Sequence, residues 1–198
     1  MCNIAGYVGE RRAAPILIDM MLREEGFAGG YYTGIATIHE GKLYYAKLTG
    51  DTKRLLDLTE AASLPGNIGF IHSRSKEVGD DEWSHPFVSE KNGEPVIAYV
   101  ANGSRGCFTY RAAEYNKLAE DLLAEGFTMH SRCKMVTKQY QNLSDGTAVH
   151  MSDVICQLIF KHMLRGDDEV TAMTEAFCSF PGEIVGLVLS LADPEKIF

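Results

Sequence analysis

Tyr31 to His39 and Lys42 to Leu48 are two runs of strand-forming residues separated only by Glu40-Gly41. Two residues are the length of a tight hairpin, and glycine supplies the positive φ that such a turn requires. The chain is thereby committed to an antiparallel pair whose apolar side must be covered. Helices are available to cover it. Ala13 to Glu25 sets Ile16, Ile18, Met20, Met21 and Leu22 on a broad apolar face, and Gly26, Gly29 and Gly30 end that run. Thr52 to Ala62 reads as a short helix capped by Asp51 or Thr52, and Asn67 to His72 as a further strand. After a polar stretch from Ser73 to Trp83, Val96 to Ala101 is a strand ending in Asn102-Gly103. Arg111 to Glu125, Val154 to Leu164 and Glu169 to Phe177 are helical, and Ile184 to Leu191 is an apolar strand. Antiparallel strands come first and helices are inserted later, so the expected class is α+β, with helices layered over sheets.

The 198 residues show no internal repeat and are 45% hydrophobic, which suits one domain over 1–198 with a sizeable core. A formal net charge of −8 with acids and bases intermixed argues against nucleic acid or an anionic membrane surface and for a small-molecule partner. No basic leader precedes an apolar stretch, and no window has the roughly eighteen apolar residues of a membrane span. A cytoplasmic protein is expected. Cys2, Cys107, Cys133, Cys156 and Cys178 are scattered and contain no C-x-x-C pair, so neither a disulfide frame nor a metal site is favoured, and no cofactor is expected. Cys156 and Cys178 lie in apolar helical patterns and read as core residues.

Cys2 carries the chemistry. Removal of Met1 leaves its thiol beside an α-amine, so one residue holds both nucleophile and base. Reference pKa values of roughly 8.5 for a thiol and 7.7 to 8.0 for an N-terminal amine let the proton pass between them near neutral pH, directly or through water. Ile4, Tyr7 and Val8 are strand formers, and Gly6 and Gly9 permit close backbone approach, so Cys2 opens a strand and not a loose tail. With Met1 retained, that nitrogen is an amide and cannot serve as base.

Cys2-Asn3-Ile4-Ala5-Gly6, Tyr31-Tyr32-Thr33-Gly34-Ile35-Ala36, Gly69-Phe70-Ile71-His72-Ser73-Arg74, Ser84-His85-Pro86-Phe87-Val88-Ser89 and Ala101-Asn102-Gly103 together resemble the glutaminase domain of class II glutamine amidotransferases. The likeness rests on the order of these segments, from residue 1 to about 192. It implies the four-layer αββα sandwich of N-terminal-nucleophile hydrolases and hydrolysis of the glutamine side-chain amide, with ammonia passed to an acceptor domain or subunit. By the same resemblance Cys2 is the nucleophile and its α-amine the base. Asn102 and the backbone N–H of Gly103 form the oxyanion hole, and Arg74 binds the substrate α-carboxylate. Neutral donors suit a developing oxyanion, and a guanidinium fork suits a carboxylate. His72 and His85 are not needed as bases and are expected to be structural, with ring nitrogens bonded to backbone.

The chain also departs from the pattern. Asn3 stands where a small Gly or Ser is usual, Ala5 where a bulkier residue is usual, and Ser75 in place of a tryptophan after the arginine. Lys76, Glu77 and Val78 replace a threonine-histidine signature. Ungapped pairing puts Met151 where the family has the aspartate that grips the α-ammonium; Asp153 substitutes if the chain is two residues shorter there. Two other readings therefore stand beside glutaminase: an N-terminal-nucleophile hydrolase of another amide, and a non-catalytic paralogue that keeps the scaffold. The sequence stops at Phe198 just where a further strand would begin, and two expectations stand for this end: a compact version of the fold, or a longer polypeptide cut there.

Overall fold

The computed structural model of the 198-residue chain describes residues 2–76, 79–103, 111–134, 143–180 and 182–198. Met1, Glu77, Val78 and Cys107 lie outside the described residues. The chain falls into two compact units, Met1–Val100 with Leu187–Phe198, and Ala101–Gly186.

In the first unit, β1 (Asn3–Val8), β2 (Tyr32–His39), β3 (Lys42–Thr49) and β4 (Ile68–Arg74) form an antiparallel sheet in the order β1-β4-β2-β3. The expected hairpin closes it. His39 pairs with Lys42, and Glu40 and Gly41 have φ values of 47° and 72°, the pair of positive angles that preserves strand twist. Side chains alternate between two cores. Ile35, Leu48 and Ile71 pack with Leu17, Met21 and Leu55 from α1 (Ala13–Glu24) and α2 (Thr52–Leu58). Ala36, Ile38, Ile68 and Phe70 face the other way and meet Val88, Ala98, Val100 and Leu189. Both faces of β2 and β4 are thus apolar, which is why those strands lack a polar alternation. Asp51 caps α2 by accepting from the Arg54 N–H, as expected of an N-cap aspartate.

The second sheet has the order β5-β6-β9, with β5 (Phe87–Lys91), β6 (Glu94–Gly103) and β9 (Glu183–Ser190). β5 has no counterpart among the expected elements, and β6 begins two residues before the expected Val96. Glu90, Lys91, Glu94 and Pro95 make this stretch look like a loop. The signal overlooked is Asn92-Gly93, whose φ values of 56° and 80° make a second tight turn. Ser89 pairs with Ile97 and Glu90 with Pro95, so one extra residue, Val96, bulges at the proline. At the chain's end, Phe198 donates its N–H to Val188 and accepts the Val188 N–H in return. Ile197 packs into the core between the sheets. The unit is layered helix, sheet, sheet.

In the second unit, α3 (Ala112–Ala124), α4 (Met151–Leu164) and α5 (Glu169–Ser179) accompany a two-residue antiparallel pair, β7 (Cys133–Lys134) with β8 (Thr147–Ala148). α4 packs against α3 and α5. It starts at Met151 and not at Val154, because His150 caps it, its ring Nδ1 accepting from the Ser152 N–H at 3.1 Å. Histidine is not a customary cap, which hid the extra turn. Cys156 is fully buried, as expected, but Cys178 is exposed. α5 buries Ala172 and Ala176; a residue two positions after Ala176 is turned roughly 200° away on a helix of 3.6 residues per turn. By class, the chain is an α+β sandwich. Among the described residues no helix is long and apolar enough to cross a membrane.

Gly34 marks the tightest approach in the first unit. A Cβ built there falls 2.0 Å from the carbonyl oxygen of His85 and 2.7 Å from the Lys47 Cβ, and neither neighbour is a flexible tip. Gly34→Ala should cost about 3 kcal/mol of stability by overpacking. Urea denaturation at unchanged m-value checks it.

Candidate active site

Because β1 begins at Asn3, Cys2 stands at the head of a hydrogen-bonded strand. Asn3 pairs with Ser73, and this register carries Cys2 to the end of the sheet where β4 finishes at Arg74. The Cys2 sulfur lies 3.8 Å from the hydroxyl oxygen of Ser75. Asn3, the departure next to the cysteine, has a task. Its Nδ2 donates to the Ala28 carbonyl at 2.9 Å and ties the strand's start to the loop after α1. A cavity of about 460 Å³ opens here, lined by Cys2, Asn3, Ile4, Ala5, Met20, Arg23 and Glu24.

Behind this corner sits a residue that the sequence reading did not single out. The Glu25 carboxylate accepts from the Thr52 N–H at 3.0 Å, from the Thr52 hydroxyl at 2.7 Å and from the Ser73 hydroxyl at 2.7 Å. The Thr33 hydroxyl lies 3.4 Å away. Ser73 Oγ also accepts from the Gly30 N–H at 2.8 Å. One half-buried carboxylate therefore joins the end of α1, the start of α2 and the end of β4. Hydrogen bonds to a charged group are worth about 1.5 to 3 kcal/mol each, enough to fix the residues on either side of Ser73. Gly29 makes this possible: at φ 76° its backbone passes so close to Ser73 that a Cβ would fall 2.7 Å from the hydroxyl.

Arg74 is the last residue of β4 and not a loop residue, since the strand runs two positions past the expected His72. It is only 5% exposed, so the alternative of a solvated loop charge does not hold. Its Nη1 donates to the Trp83 carbonyl at 3.0 Å, and the guanidinium lies 5.4 Å from the centre of the Tyr32 ring. Tyr32 is its cross-strand partner. His72 and His85 are buried with ring centroids 4.0 Å apart, and His85 meets the Phe87 ring edge to face at 4.9 Å. His72 lies in β4 and His85 just before β5, and their rings pack against each other.

Asn102 and Gly103 are the last residues of β6, half-buried and exposed respectively, and are assigned to the second unit. Asp153 lies within the first turn of α4, fully buried. Its Oδ2 accepts from the backbone N–H and hydroxyl of Ser131 at 2.9 and 2.7 Å, and its Oδ1 from Gln157 at 3.2 Å. Met151 opens the same helix and is also fully buried. The structure thus brings together Cys2, Ser75 and Arg74 at one end of the first sheet. Asn102, Gly103 and Asp153 belong to the other unit.

No family model matches the chain. Among curated proteins it is similar to enzymes named glutamine–fructose-6-phosphate aminotransferase (isomerizing). With that of Caldanaerobacter subterraneus subsp. tengcongensis it is 34% identical over 133 residues, covering 66% of this chain and 20% of the relative. With that of Pyrococcus horikoshii it is 26% identical over 200 residues, covering 100% of this chain and 29% of the relative. The chain therefore spans less than a third of these relatives' length. Among solved structures, the glutamine phosphoribosylpyrophosphate amidotransferase of B. subtilis aligns with a TM-score of 0.63 at 18% identity, over 96% of this chain and 35% of that one. A structure described as the allosteric regulatory enzyme of purine biosynthesis aligns with a TM-score of 0.67 at 18% identity, over 96% of this chain and 36% of that one. At such identity these structures share the fold.

Proposed function

We propose that this chain, which belongs to the class II glutamine amidotransferase domains, hydrolyses the side-chain amide of glutamine through Cys2 and releases ammonia for an acceptor domain or subunit. The observation that carries the reading is the setting of Cys2. It is the second residue, held at the head of a paired strand, beside a cavity and at the same sheet end as a buried arginine.

With Met1 removed, the α-amine takes the thiol proton and the sulfur attacks the amide carbon. A C–S bond forms and the carbonyl electrons move to oxygen. Asn102 and the Gly103 N–H stabilise that oxyanion, and such donors are worth about 3 kcal/mol each. Collapse breaks the C–N bond as the ammonium returns its proton to the departing nitrogen, giving ammonia and a thioester. Water, deprotonated by the same amine, then hydrolyses the thioester to glutamate and restores the thiol. Arg74 takes the substrate α-carboxylate in this scheme, and Asp153 the α-ammonium. The chain acts as a single glutaminase-like domain over 1–198, in the cytoplasm, with no cofactor, membrane or nucleic-acid partner.

A glutamine-like electrophile tests the scheme. Ammonia release from glutamine should fall with time of exposure, in step with one adduct that peptide mapping assigns to Cys2. An unlabelled Cys2 in protein whose intact mass shows Met1 to be absent would count against it. A second reading, hydrolysis of a different amide by the same nucleophile, is favoured by one observation. Both Asp153 oxygens already accept hydrogen bonds from Ser131 and Gln157. Turnover of glutamine at a rate ordinary for enzymes, about 10 per second, would dismiss that reading.

A further inference from the structure

We propose that Ser75 is a catalytic residue, whose hydroxyl stays bonded to the Cys2 sulfur through both of its protonation states and holds it in line for attack. The inference rests on Cys2 being the nucleophile. Its geometric ground is the 3.8 Å separation of Cys2 Sγ and Ser75 Oγ, in which either atom can donate. A hydroxyl carries one donor and two acceptor lone pairs, so it can accept from S–H and, after rotation, donate to S⁻. A donor-only group at this position could bond the sulfur as well but could not accept from the S–H.

The backbone that presents Ser75 is fastened on both preceding residues. Ser73 is bonded to Glu25 and to the Gly30 N–H. Arg74 accepts the Tyr31 N–H at its carbonyl and donates from its side chain to Trp83. Ser75 thus begins from a fixed point, and one rotor is all its side chain must order. Cys2 is fixed in turn by the pairing of Asn3 with Ser73 and by the Asn3 bond to Ala28. Two short side chains on fixed backbones meet, and their contact can tighten when substrate fills the site.

Proton accounting leaves Ser75 unchanged. The thiol proton goes to the α-amine, Ser75 keeps its own and turns it toward the sulfur, and thioester formation consumes the electron pair that it steadied. When hydrolysis regenerates the thiol, the hydroxyl rotates back to accept. Ser75 therefore assists at the nucleophile and has no part in binding the glutamine head group.

The test compares Ser75→Ala and Ser75→Thr with the parent, all on the full chain with Met1 shown by mass to be removed. Two rates are read near pH 7.5: alkylation of Cys2 by iodoacetamide and release of ammonia from glutamine. Ser75→Ala should slow both by about tenfold with KM for glutamine within about twofold, on the ordinary strength of a hydrogen bond to a charged group. Ser75→Thr, which returns the hydroxyl, should recover most of the loss in each. Alkylation of Ser75→Ala at the parental rate would overturn the proposal, as would a defect confined to KM. If the parent releases no ammonia, the glutaminase reading fails by itself, while the alkylation rates still decide the part assigned to Ser75.

Discussion

Cys2→Ala should lower the rate of ammonia release from glutamine by about 10⁵-fold or more, the scale on which removing a covalent nucleophile acts. Cys2 is half-buried and is not among the residues of either core, so the variant should melt close to the parent temperature. A protein that keeps Met1, for example through a bulky residue inserted ahead of Cys2, should lose nearly as much activity while keeping the thiol. In that form the nitrogen is an amide and no longer accepts the proton. Steady-state assays of the three proteins, with N-terminal mass confirmed for each, separate the two contributions. Equal activity of the Met1-retaining and trimmed forms would show that the α-amine is not the base.

Asn102→Ala carries the second largest expected effect. Loss of one side-chain donor to an oxyanion costs about 10² to 10³ in kcat, and KM for glutamine should change little, because the donor acts on charge that develops only at the transition state. Asn102 is half-buried in the last residues of β6, so its truncation opens no core cavity. The expected signature is a collapse of kcat with labelling of Cys2 by iodoacetamide left near the parental rate, since that reaction builds no oxyanion. A rise in KM with kcat little changed would move Asn102 from transition-state stabilisation to substrate holding.

Short-range signals were the most legible. Glu40-Gly41 announces its hairpin, Asp51 its helix, and the glycines after Glu25 the end of α1, because each is decided within a few residues of itself. Elements failed where a local rule was locally masked. Charges and Pro95 concealed β5 and the start of β6 even though Asn92-Gly93 lay between them. His150 concealed the first turn of α4 by capping with a ring nitrogen. Cys178 looked buried because its neighbours are apolar, but the stripe of α5 that turns inward is set by Ala172 and Ala176. Cys2, Arg74 and the Asn102-Gly103 corner are proposals drawn from the order of segments, of which the structure sets Cys2 and Arg74 at one end of the first sheet. Glu25 could not be named. Its partners are 8, 27 and 48 residues away, and no period or spacing in a sequence links positions that only a folded sheet brings together.

That separation bears on how the protein is made. Among the described residues, β1 has β4 as its neighbour in the sheet, so the strand that follows Cys2 waits for a segment far along the chain, where Ser73 faces Asn3, before it can pair. Loop closure over that distance must precede the placing of the sulfur against Ser75. A nascent polypeptide with Met1 removed already holds thiol and amine on one residue, but the sheet end that sets Cys2 beside Ser75 and Arg74 exists only once β4 has been made and paired.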